Sequence, residues 1–517
     1  MRRLRSKPEA GLAGLVSGAV ALTSAMVMAG LASTISPLDA VGGVVIDHVP
    51  AGVKDWAIDR FGTNDKAALK VGIVVIAALA AIALGLVARH RRRLGATGIA
   101  AFGVIGALAA ASRANHSLIT ILAPLAGSIV GGALLLWLMR PLGAQMPGES
   151  RVPLGLDRRG FLRASGIAGA TAAVAGGASA ALEAQRLDRA RRAIQRSLPQ
   201  AVNAPTGTQP ALDQASTQFY ADTPYITPNA DFYRIDTALS FPSVDVATWT
   251  LSVDGMVERP ITLSYADLLA RPRVTRTVTL ACVSNYVGGP YIGNAVWEGV
   301  LLRDLLAEAG VQNGAEQLFS TSIDGWTCGF PISVAADSSR DCMVAVGMNG
   351  GPLPLTHGFP ARLVVPGLYG YVSATKWLST ITLNRWSDAQ GYWVPRGWSR
   401  DAPIKTQSRV DVPRGGAEVQ RGTVRIAGIA WAPHRGVAKV EVRIDDGEWA
   451  QATLARADND DTWVQWVYDW DATTAKSGNH SATVRATDRS GETQTAKRSE
   501  PDPDGATGHH TKAFKLV

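Results

Sequence analysis

Long apolar runs separated by short polar joints fill the first 145 residues of the chain. A helix needs about 20 mostly apolar residues to cross the hydrocarbon layer of a membrane. Four runs meet or approach this length, and the third is the weakest because it is short and rich in Ala and Gly: Gly11–Ser33, Leu69–Val87, Gly95–Ser112 and Leu118–Leu138. We therefore predict an all-α transmembrane bundle of four helices over residues 1–145.

Basic residues fall on alternate joints of this predicted bundle. Lys and Arg cluster before the first run, after the second and after the fourth, and such joints lie in the cytoplasm by the positive-inside rule. The joint 34–67 has five acidic residues against three basic ones and is interpreted as an outer loop. The N-terminus and the region near residue 150 are therefore predicted to lie inside.

The segment 146–182 contains paired arginines, Arg158 and Arg159, followed by Phe161-Leu162-Arg163 and a weakly hydrophobic stretch of Ala and Gly. This pattern resembles a twin-arginine export signal, here retained as an uncleaved anchor. The alternative is an ordinary fifth transmembrane helix. Both interpretations carry the rest of the chain to the outer side, so we expect a multi-pass cell-membrane protein with an extracytoplasmic functional part. Because the twin-arginine route exports folded proteins, a cofactor inserted in the cytoplasm is expected.

The exported part changes pattern twice. Residues 183–222 have the composition of a charged helix and a polar linker. From 223 to 400, strand-like runs such as Thr277–Cys282 alternate with amphipathic stretches such as Leu301–Ala309, which is typical of an α+β domain. Residues 401–517 show only strand and turn patterns, as expected for an immunoglobulin-like β-sandwich.

Charge is distributed unequally between the first 200 residues and the rest of the chain. The 517 residues carry a net charge of +8, but only 18 % are charged, below the roughly 25 % of soluble proteins. Residues 1–200 hold 23 Lys and Arg against 10 Asp and Glu, whereas residues 201–517 hold 28 against 33. The basic surplus therefore belongs to the predicted membrane half, and no nucleic-acid partner is expected.

Several general motifs are missing from the sequence. It contains no Gly-x-Gly pair, no Walker loop, no Gly-x-Ser-x-Gly, no His-Glu-x-x-His and no Cys-x-x-Cys, which argues against the corresponding nucleotide, hydrolase, zinc and haem sites. Of the three cysteines, Cys282 ends a strand-like run beside a Gly-rich loop and can reach a ligand, although a structural cysteine is the alternative. Cys328 and Cys342 are interpreted as buried free thiols, with a disulfide as the alternative.

Several separate segments of residues 223–517 resemble the sulfite oxidase family of molybdopterin oxidoreductases, in matching order and spacing. These segments are Asp231-Phe232-Tyr233-Arg234, the run Thr279–Asn285, the block Met348–Pro354 with His357–Arg362, Val365-Pro366-Gly367, and Lys376-Trp377. The resemblance implies a molybdopterin-binding domain over 223–400 and a dimerisation domain over 401–517, and hence a homodimer through the C-terminal domain.

The resemblance also implies roles for the matched residues. Cys282 would be the protein thiolate on molybdenum, beside the two dithiolene sulfurs of the pterin. Arg234 would be catalytic, since a guanidinium suits an anionic substrate or an oxo group. The further cofactor-binding candidates are Phe232, Tyr233, Asp324, His357, Arg362, Thr375 and Lys376. Two structural alternatives stay open: His357 could cap a turn, and Lys376 could be a solvated surface residue.

The chain departs from the family pattern at two places. Tyr286-Val287-Gly288-Gly289 stands where sulfite-specific members carry a second substrate arginine, and Val394–Trp398 stands where their active-site tyrosine lies. Losing an arginine weakens the case for a dianion such as sulfite, because an uncompensated charge in a closed site is costly. Tyr392 and Arg396 are the candidate replacements.

Together these patterns predict a membrane-anchored molybdenum oxidoreductase that transfers an oxygen atom on a small sulfur-containing substrate. Without a haem-attachment motif, its electrons are expected to pass to a separate carrier, either a cytochrome or a quinone-linked protein. Two alternatives remain. One is a reductase of methionine sulfoxide on exported proteins, and the other is a non-catalytic cell-surface binding module.

Overall fold

The computed structural model of the chain divides into two compact units, residues 1–191 with 237–243 and residues 192–236 with 244–517. The residues that it describes are 5–61, 64–114, 116–140, 156–197, 223–242 and 244–517. The predicted polar linker at 198–222 and the start of the predicted export segment lie outside the described residues.

Seven helices occupy the described part of the first 197 residues. They are α1 Lys7–Leu31, α2 Pro37–His48, α3 Ala51–Phe61, α4 Asp65–Ala88, α5 Arg92–Ala111, α6 Leu118–Leu138 and α7 Arg158–Ser197. Five of them, all except α2 and α3, are long and apolar enough to cross a membrane. The chain therefore has the helices of a membrane protein, as its hydrophobic pattern predicts.

The joint 34–67, interpreted as an outer loop, contains two helices, α2 and α3, and neither is among the helices long and apolar enough to span a membrane. The sequence contains a helix start at this point: the Ser36 side chain accepts from the Asp39 N–H, and Pro37 occupies the first turn. Asp39 also forms an ion pair with Lys70 of α4, with 2.6 Å between Nζ and Oδ1. Hydropathy alone missed α2 because the helix is too short to span a membrane.

Small residues bring α1 into close contact with α4 and α6. A Cβ added at Gly14 would lie 2.1 Å from the carbonyl oxygen of Ala81, and one at Gly131 would lie 2.5 Å from that of Ser17. Such close approach is typical of membrane helices, because they associate by packing rather than by expelling water. Further along the chain, α7 is one continuous helix of 40 residues, in place of the separate signal and charged helix that the sequence suggests.

The α+β domain is built on two sheets. Its elements are β1 Thr250–Gly255, β2 Ile261–Ser264, α8 Tyr265–Ala270, β3 Val274–Ala281, β4 Ile292–Leu301, α9 Leu302–Ala309, β5 Gln317–Ser322, β6 Thr327–Pro331, α10 Ile332–Ala336, β7 Met343–Met348, β8 Gly351–Pro352, β9 Arg362–Val364, α11 Gly370–Ser373 and β10 Leu378–Asn384, with 3-10 turns at Leu355–His357 and Val394–Arg396. One sheet has the order β2-β1-β10-β5-β6, and β1 and β10 are parallel. The other has the order β3-β4-β7-β8, with β9 also paired to β7. The predicted α+β class is confirmed.

The remaining strands form a two-sheet sandwich. They are β11 Gln407–Val412, β12 Glu418–Val419, β13 Thr423–Trp431, β14 Val437–Ile444, β15 Ala450–Gln451, β16 Thr453–Leu454, β17 Val464–Asp471, β18 Gly478–Asp488 and β19 His510–Leu516. The sheet orders are β11-β13-β17-β16 and β12-β19-β18-β14-β15. Ile426, Val440, Trp466 and Phe514 are buried in the core between the sheets. The predicted immunoglobulin-like sandwich is confirmed.

Candidate active site

Cys282 lies one residue beyond the end of β3 and is buried, with 8 % of its surface exposed. Its N–H donates to the carbonyl oxygen of Tyr291 at 2.9 Å, and the Tyr291 N–H donates to Oδ1 of Asn285 at 2.8 Å. These two hydrogen bonds connect both ends of the glycine-rich loop, Cys282 at its start and Tyr291 at its end. Burial raises the pKa of the Cys282 thiol, while hydrogen bonds from Ser284 and the charge of Lys376 act in the opposite direction. A metal cation would favour the thiolate that burial disfavours.

Phe232 anchors the segment that carries Arg234. Its ring is buried and packs edge-on against Trp297 and His357, with centroids 5.7 and 5.5 Å away, and it stacks on Tyr233 at 5.2 Å. The ring requires a glycine opposite it, because a Cβ at Gly293 would come within 2.7 Å of it. Burial raises the pKa of Tyr233, and the charges of Cys282 and Arg362 also act on its hydroxyl. The hydroxyl is therefore within electrostatic reach of both groups.

Arg234 and Lys376 share one carboxylate, that of Asp236. Arg234 donates to it from two nitrogens, Nε to Oδ2 at 2.9 Å and Nη2 to Oδ1 at 3.2 Å. Lys376 donates from Nζ to Oδ2 at 3.1 Å and to the carbonyl oxygen of Thr356 at 3.3 Å. Only 11 % of the Lys376 side chain is exposed, so the alternative of a solvated surface lysine is wrong. Burial lowers the pKa of Lys376 to about 8, although Asp236 opposes this shift.

His357 forms a hydrogen bond with a residue that is distant in the sequence. Its Nε2 lies 2.9 Å from the carbonyl oxygen of Asn229, which can only accept, so Nε2 carries the proton and Nδ1 is the acceptor. His357 therefore does not merely cap its own turn. Nδ1 is buried and has no hydrogen-bond partner among the described residues. Burial lowers the pKa of His357 to about 4, with Lys376 and Arg362 contributing in the same direction.

Arg362 is a buried guanidinium without a carboxylate partner in the described part of the chain. It donates to the main-chain carbonyls of His357 at 3.1 Å and Leu363 at 3.3 Å, and it lies 5.0 Å from the Trp297 ring. Burial lowers its pKa to about 10. An unpaired buried cation is costly unless an anion binds to it. The Arg362 guanidinium therefore fits an anionic group such as a pterin phosphate, and the unpartnered Nδ1 of His357 fits a hydrogen-bond donor of the same cofactor.

Two further candidates for cofactor binding, Asp324 and Thr375, lie in polar surroundings of their own. Asp324 lies in the turn after β5, where the Trp326 N–H donates to its Oδ1 at 3.2 Å. Burial raises the pKa of Asp324, and the nearby charge of Asp236 adds to that rise. Thr375 is fully buried, and its hydroxyl shares hydrogen bonds with Ser320 at 2.7 Å and with Sγ of Cys328 at 3.1 Å. The Thr375 side chain is thus part of an internal polar cluster.

The candidate replacements for the missing tyrosine and arginine contact each other. The Arg396 guanidinium carbon lies 3.7 Å from the Tyr392 ring centroid, and Nη1 donates to the Tyr392 carbonyl at 2.5 Å. The Tyr392 N–H donates to the carbonyl oxygen of Thr327 on β6 at 2.9 Å. Arg396 and Tyr392 therefore form one stacked pair at the end of that strand. Cys328 and Cys342 are buried free thiols, as predicted.

The β-sandwich forms hydrogen bonds with β3, the strand that precedes Cys282. The Thr279 N–H donates to the Asp461 carbonyl at 2.9 Å, and its hydroxyl accepts from the Trp463 N–H at 2.8 Å and donates to Asn294 Oδ1 at 2.9 Å. Farther along the same loop, a Cβ at Gly288 would lie 2.3 Å from Nε2 of His510. The sandwich therefore contacts both the strand before Cys282 and the loop after it.

Another contact reaches the loop from β11. Arg409 donates from Nη1 to the carbonyl oxygen of Gly289 at 2.9 Å, and its Nε pairs with Asp411 at 2.6 Å. Sequence reasoning missed Arg409, Asp236 and His510, and it included Thr279 only as the first residue of the matched run Thr279–Asn285. Asp236 lies two residues after Arg234, but a carboxylate at this spacing is ordinary in a loop and did not mark it as a partner.

Comparisons with known proteins agree with this site. The family described as "Oxidoreductase molybdopterin binding domain" matches residues 238–393, and "Bacterial Ig domain" matches residues 408–484. Sulfite oxidase of Gallus gallus is 32 % identical over 272 residues, 44 % of this chain and 59 % of that protein. The mitochondrial sulfite oxidase of Homo sapiens is 33 % identical over 273 residues, which are 44 % of this chain and 49 % of that protein. The matched region thus spans about half the length of these curated relatives.

Two other similarities cover larger shares of the proteins compared. The uncharacterized oxidoreductase YuiH of Bacillus subtilis (strain 168) is 36 % identical over 155 residues, 30 % of this chain and 74 % of YuiH. Among solved structures, the sulfane dehydrogenase SoxCD from Paracoccus pantotrophus is 25 % identical with a TM-score of 0.48, over 56 % of this chain and 81 % of that one.

The fold and the matched domain define a molybdopterin-binding oxidoreductase. More specifically, the chain belongs to the sulfite oxidase family. This membership favours an enzyme over the alternative of a non-catalytic surface module. It also makes molybdenum held by molybdopterin the cofactor of the chain, as predicted.

Proposed function

We propose that this protein is a membrane-anchored, extracytoplasmic oxidoreductase that transfers an oxygen atom on a small sulfur-containing substrate. The observation that carries the proposal is that a buried thiol, Cys282, and a buried guanidinium, Arg362, without a carboxylate partner among the described residues, both act electrostatically on Tyr233 in a molybdopterin-binding domain. The thiol suits a soft metal, and the guanidinium suits a phosphate. The buried Arg362 guanidinium is not explained by stability, since an unpaired charge is costly to bury.

When bound, the molybdenum cofactor supplies two-electron redox chemistry and an exchangeable oxo group. In the proposed site, Cys282 is the protein ligand to the metal. Arg362 and Lys376 bind the pterin phosphate, and Nδ1 of His357 accepts a hydrogen bond from the pterin or from its linked hydroxyl groups. Phe232 and Tyr233 would line the site beside Arg234, and the buried rings of Phe232 and Trp297 would exclude water there. Asp324 and Thr375 stay cofactor-binding candidates through the resemblance.

Arg234 is assigned to the substrate. It is partly exposed, with 36 % of its side chain accessible, whereas Lys376 and Arg362 are buried. A guanidinium held by Asp236 keeps a fixed orientation, which lowers the entropy lost when it donates to a substrate oxygen. Arg234 would therefore orient the oxygen to be transferred, and its charge would stabilise negative charge that develops on that oxygen.

The remaining parts of the proposal concern topology and partners. The five apolar helices support an anchor in the cell membrane, and the distribution of basic residues supports an outer location for residues 223–517. Electrons would pass to a separate cytochrome or a quinone-linked protein, and a homodimer would form through the sandwich. Labelling of single cysteines with a membrane-impermeant maleimide in intact cells tests the topology. Reaction at a cysteine placed at exposed Ser477 supports it, and reaction only after lysis contradicts it.

A methionine-sulfoxide-type reductase is the second candidate function. It is favoured by the absence of a second arginine at Tyr286–Gly289 and by the pairing of Arg234 with Asp236. Assays of the purified holoenzyme separate the two directions, with sulfite and an oxidised cytochrome in one and methionine sulfoxide and a reduced viologen in the other. Turnover in either direction supports oxygen-atom transfer. A molybdenum-loaded protein that is inert in both would refute the proposed function.

A further inference from the structure

One carboxylate neutralises part of the positive charge around the candidate site. Asp236 receives two hydrogen bonds from Arg234 and one from Lys376, and only 7 % of its side chain is exposed. In contrast, no acidic side chain lies within 4 Å of Arg362 in the described part of the chain. Among the described residues, the site therefore combines three cations, Arg234, Lys376 and Arg362, with the carboxylate of Asp236.

Little positive charge remains at the site to bind an anionic substrate once the cofactor phosphate is bound. A phosphate monoester carries about −1.5 to −2 near pH 7, so the pterin phosphate would consume the charge of Arg362 and Lys376. Arg234 then has Asp236 as its counter-charge. With the cofactor bound, the pocket at Arg234 is thus close to neutral.

We propose that Asp236 is a specificity-determining residue that lowers the affinity of the site for dianionic sulfur oxyanions and favours an uncharged sulfoxide. The inference rests on the proposed function of the same site. Asp236 holds the Arg234 guanidinium in position so that it donates hydrogen bonds to a sulfoxide oxygen, and it removes the net charge that would attract sulfite. Arg234 remains the residue that contacts the substrate, and Asp236 acts through it.

The reaction favoured by this charge distribution balances as a two-electron reduction. The S–O bond of the sulfoxide breaks, and the sulfur gains the electron pair and leaves as a thioether. The oxygen leaves as water after taking up two protons from solvent. An external one-electron donor supplies the two electrons, a reduced viologen in the assay and the separate carrier in the cell.

The test uses the holoenzyme in one assay, dimethyl sulfoxide reduction by reduced benzyl viologen, with inorganic sulfate as a redox-inert dianionic inhibitor. Asp236→Asn removes the charge at nearly constant shape, and we expect the inhibition constant for sulfate to fall about tenfold. Asp236→Glu retains the charge and should restore weak inhibition. In the double variant Asp236→Asn with Arg234→Met, the gain in sulfate affinity should disappear, because the cation that Asp236 neutralises is gone.

Asp341→Asn is the matched control. Asp341 also bridges two arginines, Arg276 at 2.6 Å and Arg303 at 2.7 Å, and neither belongs to the candidate site. Its replacement should leave the inhibition constant unchanged. An Asp236→Asn enzyme that reduces the sulfoxide with unchanged sulfate inhibition overturns the inference while leaving the proposed function intact.

A measurement on the unaltered enzyme keeps the inference testable if Asp236→Asn does not take up cofactor. We expect a lower KM for dimethyl sulfoxide in reduction than for sulfite in oxidation, with sulfate a poor inhibitor of both. Tight competitive inhibition of the unaltered enzyme by sulfate contradicts the inference. Absence of turnover with every sulfur compound, in protein loaded with molybdenum, instead contradicts the proposed function.

Discussion

The N–H of Thr279, three residues before Cys282, donates to the main-chain carbonyl oxygen of Asp461 in the sandwich at 2.9 Å. The Thr279 hydroxyl accepts from Trp463, 184 residues away in sequence. The position of Cys282 is thereby fixed from both sides, by β4 of its own sheet and by a loop of the sandwich. The C-terminal domain thus has a structural role at the site in addition to any role in dimerisation.

Replacing Thr279 with Val should destabilise the chain by about 2–4 kcal/mol, because it leaves the buried Trp463 N–H and Asn294 Oδ1 without their partner. Thermal unfolding of the full chain in detergent measures the effect, as a melting temperature lower by about 5 °C or more. Thr275→Val on the same strand is the control, since that side chain is only partly buried. Equal melting temperatures for the two variants would count against the contact.

The stability of the sandwich should depend on pH through His510. Burial, with Lys512 contributing, lowers the pKa of His510 to about 4, whereas the unfolded value is about 6.5. Between these values the unfolded chain binds more protons, so stability falls as pH decreases from about 6.5 to 4. We expect a loss of about 2 kcal/mol from this residue over that range.

His510→Asn tests this dependence. An Asn oxygen can accept from the Val410 N–H, as Nδ1 of His510 does at 2.9 Å, but it does not titrate. Urea unfolding at pH 4.5 and pH 7 should show a smaller difference for the variant than for the unaltered chain. The pH dependence of stability that remains in the variant is expected to come in part from His357, because burial lowers its pKa to about 4 as well. An unchanged difference would show that His510 does not contribute.

Arg362 should give the apoprotein an affinity for inorganic phosphate. A ligand that binds only the folded state raises the melting temperature, and this buried guanidinium lacks a carboxylate partner within the described residues. Millimolar phosphate should therefore stabilise the apoprotein, and Arg362→Met should abolish the effect. Arg485→Met is the control, because Arg485 already pairs with Glu441 at 2.9 Å. A phosphate effect that survives Arg362→Met would place the anion elsewhere.

The two buried thiols Cys282 and Cys328 should differ in function. Cys282→Ser should lower oxygen-atom transfer by about 100-fold or more, since the hydroxyl is a poorer ligand for a soft metal. Cys328→Ser should retain activity, because its side chain already shares hydrogen bonds with Ser320 and Thr375 that a hydroxyl can replace. The measurement is turnover per bound molybdenum. Equal losses in both variants would indicate a general effect on folding.

The sequence predicted the features that depend on local pattern. Apolar length located four membrane helices, and alternation located the end of β3 within one residue of Cys282. It did not predict α2, because a short helix in a polar joint is marked only by its Ser36-Pro37 start. The family resemblance, rather than periodicity, selected His357 and Arg362.

The rest depends on contacts between residues distant in sequence. The bonds from Thr279 to Asp461 and Trp463, and the meeting of Asp236 with Lys376, 140 residues away, leave no periodic signal. A carboxylate two residues after Arg234 is in itself an ordinary loop residue. Its role follows only when the fold brings Lys376 to the same oxygen.

X-ray absorption at the molybdenum edge of the purified holoenzyme tests the central claim, that Cys282 binds the metal of a molybdopterin cofactor. Two dithiolene sulfurs and one thiolate should give three sulfur scatterers around molybdenum in the unaltered protein. Cys282→Ser should give two, with the metal still bound. Three sulfur scatterers in both proteins, or a natively expressed protein that contains no molybdenum, would contradict the account.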